Sequence, residues 1–248
     1  MGNIKYNDVI RSISYDQHEI LYNIMKMHNN GKPFDCDITY SSGKFYGDYT
    51  IDTIDGNKKD ITIPQPKFKF DVCPQNEDII KIEDEKPLPL EDNSIESIVI
   101  DLPFVVSPHN APSIANDDGD KKRNIIFKRF SSYYPWYTMP KSYSHWLNEA
   151  YRVLKNEGIV VFKTQSTISA RKNIMMPYYS WMEAEKAGFY TLDEFILLAK
   201  NRLHSGKIKK QEHARKFHSH FFVFKKSVKE KPINYYKFKT NGNKKKYN

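Results

Sequence analysis

The chain has 248 residues, 39% of them hydrophobic and 14% aromatic, enough to bury the core of one α/β domain with insertions and no disulfide or metal staple. Its two cysteines, Cys36 and Cys73, form neither a metal-ligand spacing nor a disulfide framework, which predicts a reduced, cytoplasmic protein; no run of about eighteen apolar residues is present to cross a membrane. The net charge of +9 is uneven: residues 71–120 carry 2 basic and 13 acidic side chains, whereas residues 121–248 carry 28 and 8. A basic half attracts a polyanion, although 9 of its lysines lie in residues 225–248.

In chain order, residues 16–30 place Ile20, Leu21, Ile24 and Met25 at helical spacing, with Asp16 as a cap and Asn29, Asn30 and Gly31 as a stop. Residues 34–50 predict a short strand running into a turn rich in Ser and Gly. Asp55-Gly56 suits a hairpin tip, Pro64 and Pro66 mark irregular chain, and Lys67 to Val72 reads as a strand. The β-branched run 94–100, ending at Asp101, predicts a buried parallel strand. Residues 105–140 lack periodicity, and a loop of that length inside a domain is usually functional or disordered. A helix is expected over 141–155, stopped by Gly158 and followed by the strand GIVVFKTQ. Another helix is expected over 178–187, closed by Gly188. Residues 191–202 fit a helix begun by a Thr191–Glu194 capping box and equally a buried strand. Residues 218–226 form a strand. This alternation predicts an α/β sandwich around a mainly parallel sheet.

The stretch Ile100-Asp101-Leu102-Pro103-Phe104 has the residue types for holding an aromatic amine. In an open parallel sheet, ligands bind beyond the carboxyl ends of the strands. There the Asp101 carboxylate and a neighbouring backbone carbonyl can accept hydrogen bonds from an amino group. Phe104 can stack on a planar ring, offsetting the cost of extracting a base from its stack. A strand ending in an Asp turn with a Phe anchor is the structural alternative.

Asp101 to Phe104, with LPLEDNSIESIVIDLPF before it, HWLNEAYRVLKNEGIVVFKTQ after it and HARKFHSHFFVFKK near the end, resembles the class I S-adenosylmethionine-dependent methyltransferases, in particular the amino-methyltransferases of DNA, including phage-type members. The family signature is Asp/Asn/Ser-Pro-Pro-Tyr/Phe, so Leu102 departs from it where a proline is usual. The resemblance covers roughly residues 34–226. It implies a Rossmann-like fold, with a mainly parallel seven-stranded sheet whose last strand is reversed. The implied cofactor is S-adenosylmethionine, and the implied reaction is methylation of an exocyclic amino group, adenine in DNA first. An RNA base methyltransferase of the same fold and a non-catalytic nucleic-acid or partner-binding relative are the alternatives. Asp101, Leu102, Pro103 and Phe104 would be catalytic. Asp35, Asp37, Ser41, Ser42 and Gly43 stand where the family has its glycine-rich turn. Asp71 stands where an acid binds the ribose hydroxyls, and Asp84, between Glu83 and Glu85, would accept from the adenine amino group.

Charge and aromaticity point to Arg123, Lys128, Arg129, Tyr133, Tyr134 and Trp136, and to Lys207, Lys209, Lys210 and Arg215, as nucleic-acid contacts. One domain over 1–226 is expected, with target-recognition insertions near 105–140 and 165–215, and a flexible Lys-rich tail over 227–248. The eight histidines show no metal-ligand spacing, and neither a Gly-x-Ser-x-Gly elbow nor a phosphate-binding P-loop occurs.

Overall fold

The computed structural model describes residues 9–106, 133, 135–169, 171–200 and 211–234. Strand β1 (Ile13–Ser14) leads into helix α1 (Gln17–His28), where the Asp16 carboxylate accepts the His18 amide at 2.8 Å and so satisfies one of the unpaired amides of the first turn. Strand β2 (Cys36–Asp37) precedes a hairpin of β3 (Gly47–Asp52) and β4 (Lys58–Ile63), whose Asp55-Gly56 tip puts Gly56 at φ +79°. Strands β5 (Phe68–Asp71), β6 (Ile80–Lys81) and β7 (Ile95–Asp101) follow. Helix α2 (Thr138–Val153) runs directly into β8 (Leu154–Thr164), and a small hairpin of β9 (Thr167–Ser169) and β10 (Lys172–Ile174) leads to α3 (Met176–Ala187). The chain then forms β11 (Tyr190–Leu198) and β12 (His218–Lys225).

One local expectation needs correction, and one open alternative resolves. Gly158 does not end α2, because Leu154 already has extended backbone; Gly158 lies inside β8 instead. A Cβ there would sit 2.9 Å from the carbonyl oxygens of Glu96 and Lys155, so its requirement is close backbone approach. The stretch from Thr191 is a strand rather than a helix. It pairs with β12 along its length and with β1 at its end, and this pairing overrides the local capping pattern.

Eight strands, one more than expected, form the main sheet in the order β1-β11-β12-β8-β7-β2-β5-β6. Every neighbouring pair is parallel except those of β12, which runs antiparallel to both β11 and β8. Both faces are covered, which is why the central strands read as continuous apolar runs. On one face α2 packs Tyr143, Trp146 and Leu147, and α3 packs Met176 and Ala184, in one core with Ile98, Ile100, Phe162 and Phe224. On the other, α1 and the β3–β4 hairpin cover Val99, Val161, Phe221 and Val223. Each large apolar side chain so buried contributes about 1.5–3 kcal/mol.

Arg152 fastens the loop before β7 to α2. Its guanidinium donates to Glu149 and Asp92 at 2.7 Å and to the carbonyls of Leu90 and Leu88 at 2.9 and 3.1 Å. The planar fork suits several acceptors at once, and these bonds hold its pKa well above the usual value. The following Asn93 and Ser94 amides bond the carbonyls of Arg152 and Val153, which fixes where β7 enters the sheet. Among the described residues, no helix is long and apolar enough to cross a membrane.

Candidate functional site

Because β2, β5, β7 and β8 are parallel, their last residues share one edge of the sheet. Asp37, Asp71 and Asp101 end three of them, and Lys163 lies one residue before the end of the fourth. Asp101 and Lys163 are register partners, and Lys163 Nζ lies 2.8 Å from Asp101 Oδ2. Lys163 Nζ also donates to Gln17 Oε1 at 3.3 Å and sits over the rings of Phe45 and Phe221.

Asp37 is 1% exposed and braces the turn that follows it. Its Oδ1 accepts from the Thr39 amide at 2.7 Å and the Thr39 hydroxyl at 3.1 Å, and its Oδ2 accepts from Tyr46 at 2.7 Å. Burial pushes its pKa up to about 7 against these bonds, and the nearby Asp101 adds to the rise. The Asp101 amide in turn donates to Thr39 Oγ1 at 2.8 Å, so the turns after β2 and β7 are joined.

Asp71 is 9% exposed. Its two oxygens accept from the Ser41 and Cys73 amides, each at 2.7 Å, while burial raises its pKa. Ser41 thus lies against the acid expected from the sequence to bind the ribose hydroxyls. Gly43 takes φ +68°, and a Cβ there would lie 2.5 Å from Cζ of Tyr40. Tyr40 itself is held by a hydrogen bond to Gln65. His18 ties this turn to α1, bonding Asp16 Oδ1 at 2.8 Å and the Lys44 carbonyl at 2.9 Å while stacking on Tyr49.

One of the expected cofactor residues is placed differently. Asp35 lies at the amino end of β2, where Oδ2 accepts from the Glu96 amide at 2.6 Å, so it does not join the other carboxylates. Asp84 is exposed, and its Oδ1 accepts from Ser142 and from the Trp146 indole of α2 at 2.9 and 3.0 Å.

The Leu102 side chain is 5% exposed and belongs to the core under α2. The hydroxyl of the buried Tyr143 donates to the Pro103 carbonyl at 3.1 Å and reaches the Leu102 carbonyl only at 3.5 Å. Hydrogen bonds weaken towards that distance, so the Leu102 carbonyl keeps acceptor capacity. Pro103 and Phe104 are half-buried.

Of the expected nucleic-acid contacts, Trp136 is exposed just before α2, and Arg215 is exposed before β12. Tyr133 is instead packed edge-on against Tyr143, and its hydroxyl donates to Ser142 at 3.2 Å. Arg123, Lys128, Arg129, Tyr134, Lys207, Lys209 and Lys210 lie outside the described residues. The start of the expected tail is anchored: Ser227 is buried and donates to Glu157 at 2.7 Å. Among the described residues no cluster of three metal-ligating side chains occurs.

Sequence reasoning missed Lys163, Thr39, Tyr46 and Gln17. A lysine inside the apolar run GIVVFKTQ was the one available signal.

No family model matches the chain, and no curated protein matches it. Among solved structures, it is similar to a candidate DNA modification methylase from Thermus thermophilus complexed with S-adenosyl-L-methionine, at 11% identity, over 59% of this chain and 54% of that one, with a TM-score of 0.36. A SAM-dependent methyltransferase from Methanosarcina mazei aligns at 10% identity over 66% and 71% of the two chains, TM-score 0.34. A complex of the Haloferax volcanii Trm112 methyltransferase activator with a candidate methyltransferase aligns at 10% identity over 83% and 92%, TM-score 0.40. The alignment spans about half the length of the Thermus protein. The overlaps are partial, and the functional reading rests on the chain's own residues.

Proposed function

We propose that this chain is an S-adenosylmethionine-dependent methyltransferase acting on the exocyclic amino group of a nucleic-acid base, adenine in DNA first. One observation carries the reading. Asp101 ends a buried parallel strand with its amide fixed by Thr39 and Oδ2 by Lys163, while Oδ1 has no partner among the described residues. A carboxylate oxygen so presented suits an N–H donor. Phe104, three residues on, would stack on the base, and the Leu102 carbonyl would supply the second acceptor.

The residues at the neighbouring strand ends fit the cofactor by chemistry. Asp71 is an acceptor-only group suited to paired ribose hydroxyls, and the Ser41-to-Gly43 turn lies beside it through the Ser41 amide. Asp84 Oδ2 would accept from the adenine amino group. Bound S-adenosylmethionine supplies a methyl group activated by a sulfonium. The protein's share is to orient the target nitrogen through Asp101 and to hold it away from water. The charge-rich segments at 123–137 and 200–216 support a polyanionic substrate, and the likeness of Asp101 to Phe104 to the signature of DNA amino-methyltransferases gives DNA priority over RNA.

Nucleoside mass spectrometry tests the reading. The protein is expressed in a host without adenine or cytosine methylation, and the host's DNA and RNA are digested separately. A new methylated base in DNA, absent with Asp101→Ala, is the expected result. The same signal in RNA alone would assign the RNA base instead. No new base in either pool, with S-adenosylmethionine binding absent by calorimetry, would leave a non-catalytic module.

A further inference from the structure

Lys163 is an unusual residue for its place. Its β8 neighbours Val161 and Phe162 are fully buried, its own side chain is 12% exposed, and Phe45 and Phe221 flank its ammonium at 5.2 and 5.5 Å. Taking this charge out of water is costly, and the Asp101 carboxylate is the carboxylate that compensates it. A partly buried ion pair is a weak stabilising device: two apolar side chains of similar volume often do as well or better. What the pair does supply is geometry and charge balance. Register places the two residues side by side on adjacent parallel strands, Oδ2 is occupied at 2.8 Å, and Oδ1 is left as the acceptor. A cationic amine approaching Oδ1 would meet a carboxylate already neutralised and an ammonium close behind it. A neutral N–H donor meets no such repulsion and can still hydrogen-bond.

We propose that Lys163 is a positioning and specificity-determining residue, which fixes Asp101 through Oδ2 so that Oδ1 receives a neutral amino group rather than an ammonium. The inference rests on the methyltransferase reading and deepens it: the substrate class is a neutral, planar amine such as an exocyclic base amine, as opposed to a lysine-like ammonium.

The test compares parent, Lys163→Met, Lys163→Arg and the double variant Asp101→Leu/Lys163→Met. Methyl transfer to an oligonucleotide and S-adenosylmethionine affinity by calorimetry are read for each, together with the thermal midpoint. Lys163→Met is expected to lower kcat about 10- to 100-fold, the scale set by misplacing a reacting group by an ångström. Its cofactor affinity should stay within a few-fold of the parent's, and Lys163→Arg should recover most of the rate. The double variant should be as stable as the parent and inactive. Unchanged kcat in Lys163→Met would overturn the inference while leaving the methyltransferase reading intact. A double variant much less stable than the parent would also overturn it, by making the pair a structural brace. No transfer by the parent to any nucleic acid would overturn both.

Discussion

The Asp101 amide donates to Thr39 Oγ1 at 2.8 Å, and that same hydroxyl donates to Asp37 Oδ1 at 3.1 Å. One threonine therefore sets the distance between the turn after β2 and the turn after β7. Thr39→Val keeps the shape and removes the hydroxyl. It should cost about 1–3 kcal/mol, the penalty of a buried donor left unpaired, whereas Thr39→Ser should cost little. Denaturant midpoints check the stability. The rate of methyl transfer should fall with valine and persist with serine; equal rates for the two would mean that the Thr39 hydroxyl does not place Asp101.

Asp37 makes a pH-dependent contribution whose sign is unusual for a carboxylate. Burial raises its folded-state pKa from 3.8 to about 7. Below pH 4 both folded and unfolded chains hold the proton, and nothing is lost. Between pH 4 and 7 the unfolded chain releases the proton while the folded chain keeps it, so stability falls as pH rises, by a few kcal/mol at most. Above pH 7 the loss is constant. Asp37→Asn keeps an acceptor towards Thr39 and removes the titration. Its thermal midpoint should match the parent's near pH 4 and exceed it by about 5 °C or more at pH 8. Parallel midpoint curves would show that Asp37 does not titrate in that window.

Gly43 combines a left-handed backbone with contact to Tyr40. Gly43→Ala meets both strains and should destabilise by about 1–3 kcal/mol. Tyr40→Phe should give no relief, since the ring carbons obstruct as well as the hydroxyl, but Tyr40→Ala in the same chain should recover part of the loss. Calorimetry of S-adenosylmethionine binding alongside thermal melts separates loss of the turn from loss of the fold. Full binding by Gly43→Ala would remove this turn from the proposed cofactor site.

Leu102 explains its own departure from the proline of the resembling signature. Its side chain is in the core, and Pro cannot reach as far. Leu102→Pro should cost about 1–3 kcal/mol by lost burial. Methyl transfer, assayed well below the lowered midpoint, should survive because the carbonyl at 102 remains. An unchanged midpoint would show that the Leu102 side chain adds nothing to the core.

Local sequence carried those parts of the site whose cause is local. Asp101 is legible because a β-branched run ends at it, and Gly43 and Asp71 because turns and strand ends leave signals within a few residues. Lys163 was not legible: its partner stands 62 positions away, and only the pairing of β7 with β8 brings them together. Asp84 was legible only in part. It reads as an acidic loop free to bind a ligand, yet Ser142 and Trp146 of α2 approach one of its oxygens through packing that no nearby residue announces. Asp35 and Asp37 are two residues apart and look interchangeable. The start of β7 takes one and the turn after β2 takes the other. The strand from Thr191 was ambiguous for the same reason, since its sheet partner comes later in the chain.

The placement of β12 has a consequence for how the molecule is made. The last described strand lies between β8 and β11 rather than at a sheet edge. A nascent chain that has emerged only through Leu198 holds both flanking strands, each with its inward hydrogen-bonding groups unmatched. The sheet cannot close until residues 218–225 clear the ribosome and enter that gap. Synthesis therefore passes through an interval with two open strand edges near the middle of the future sheet, a state prone to pairing with other chains. The strand that ends this interval is rich in aromatics, and its Phe221 and Phe222 side chains reach the cores on opposite faces of the sheet. Completion of the sheet and joining of its two faces are thus a single late event.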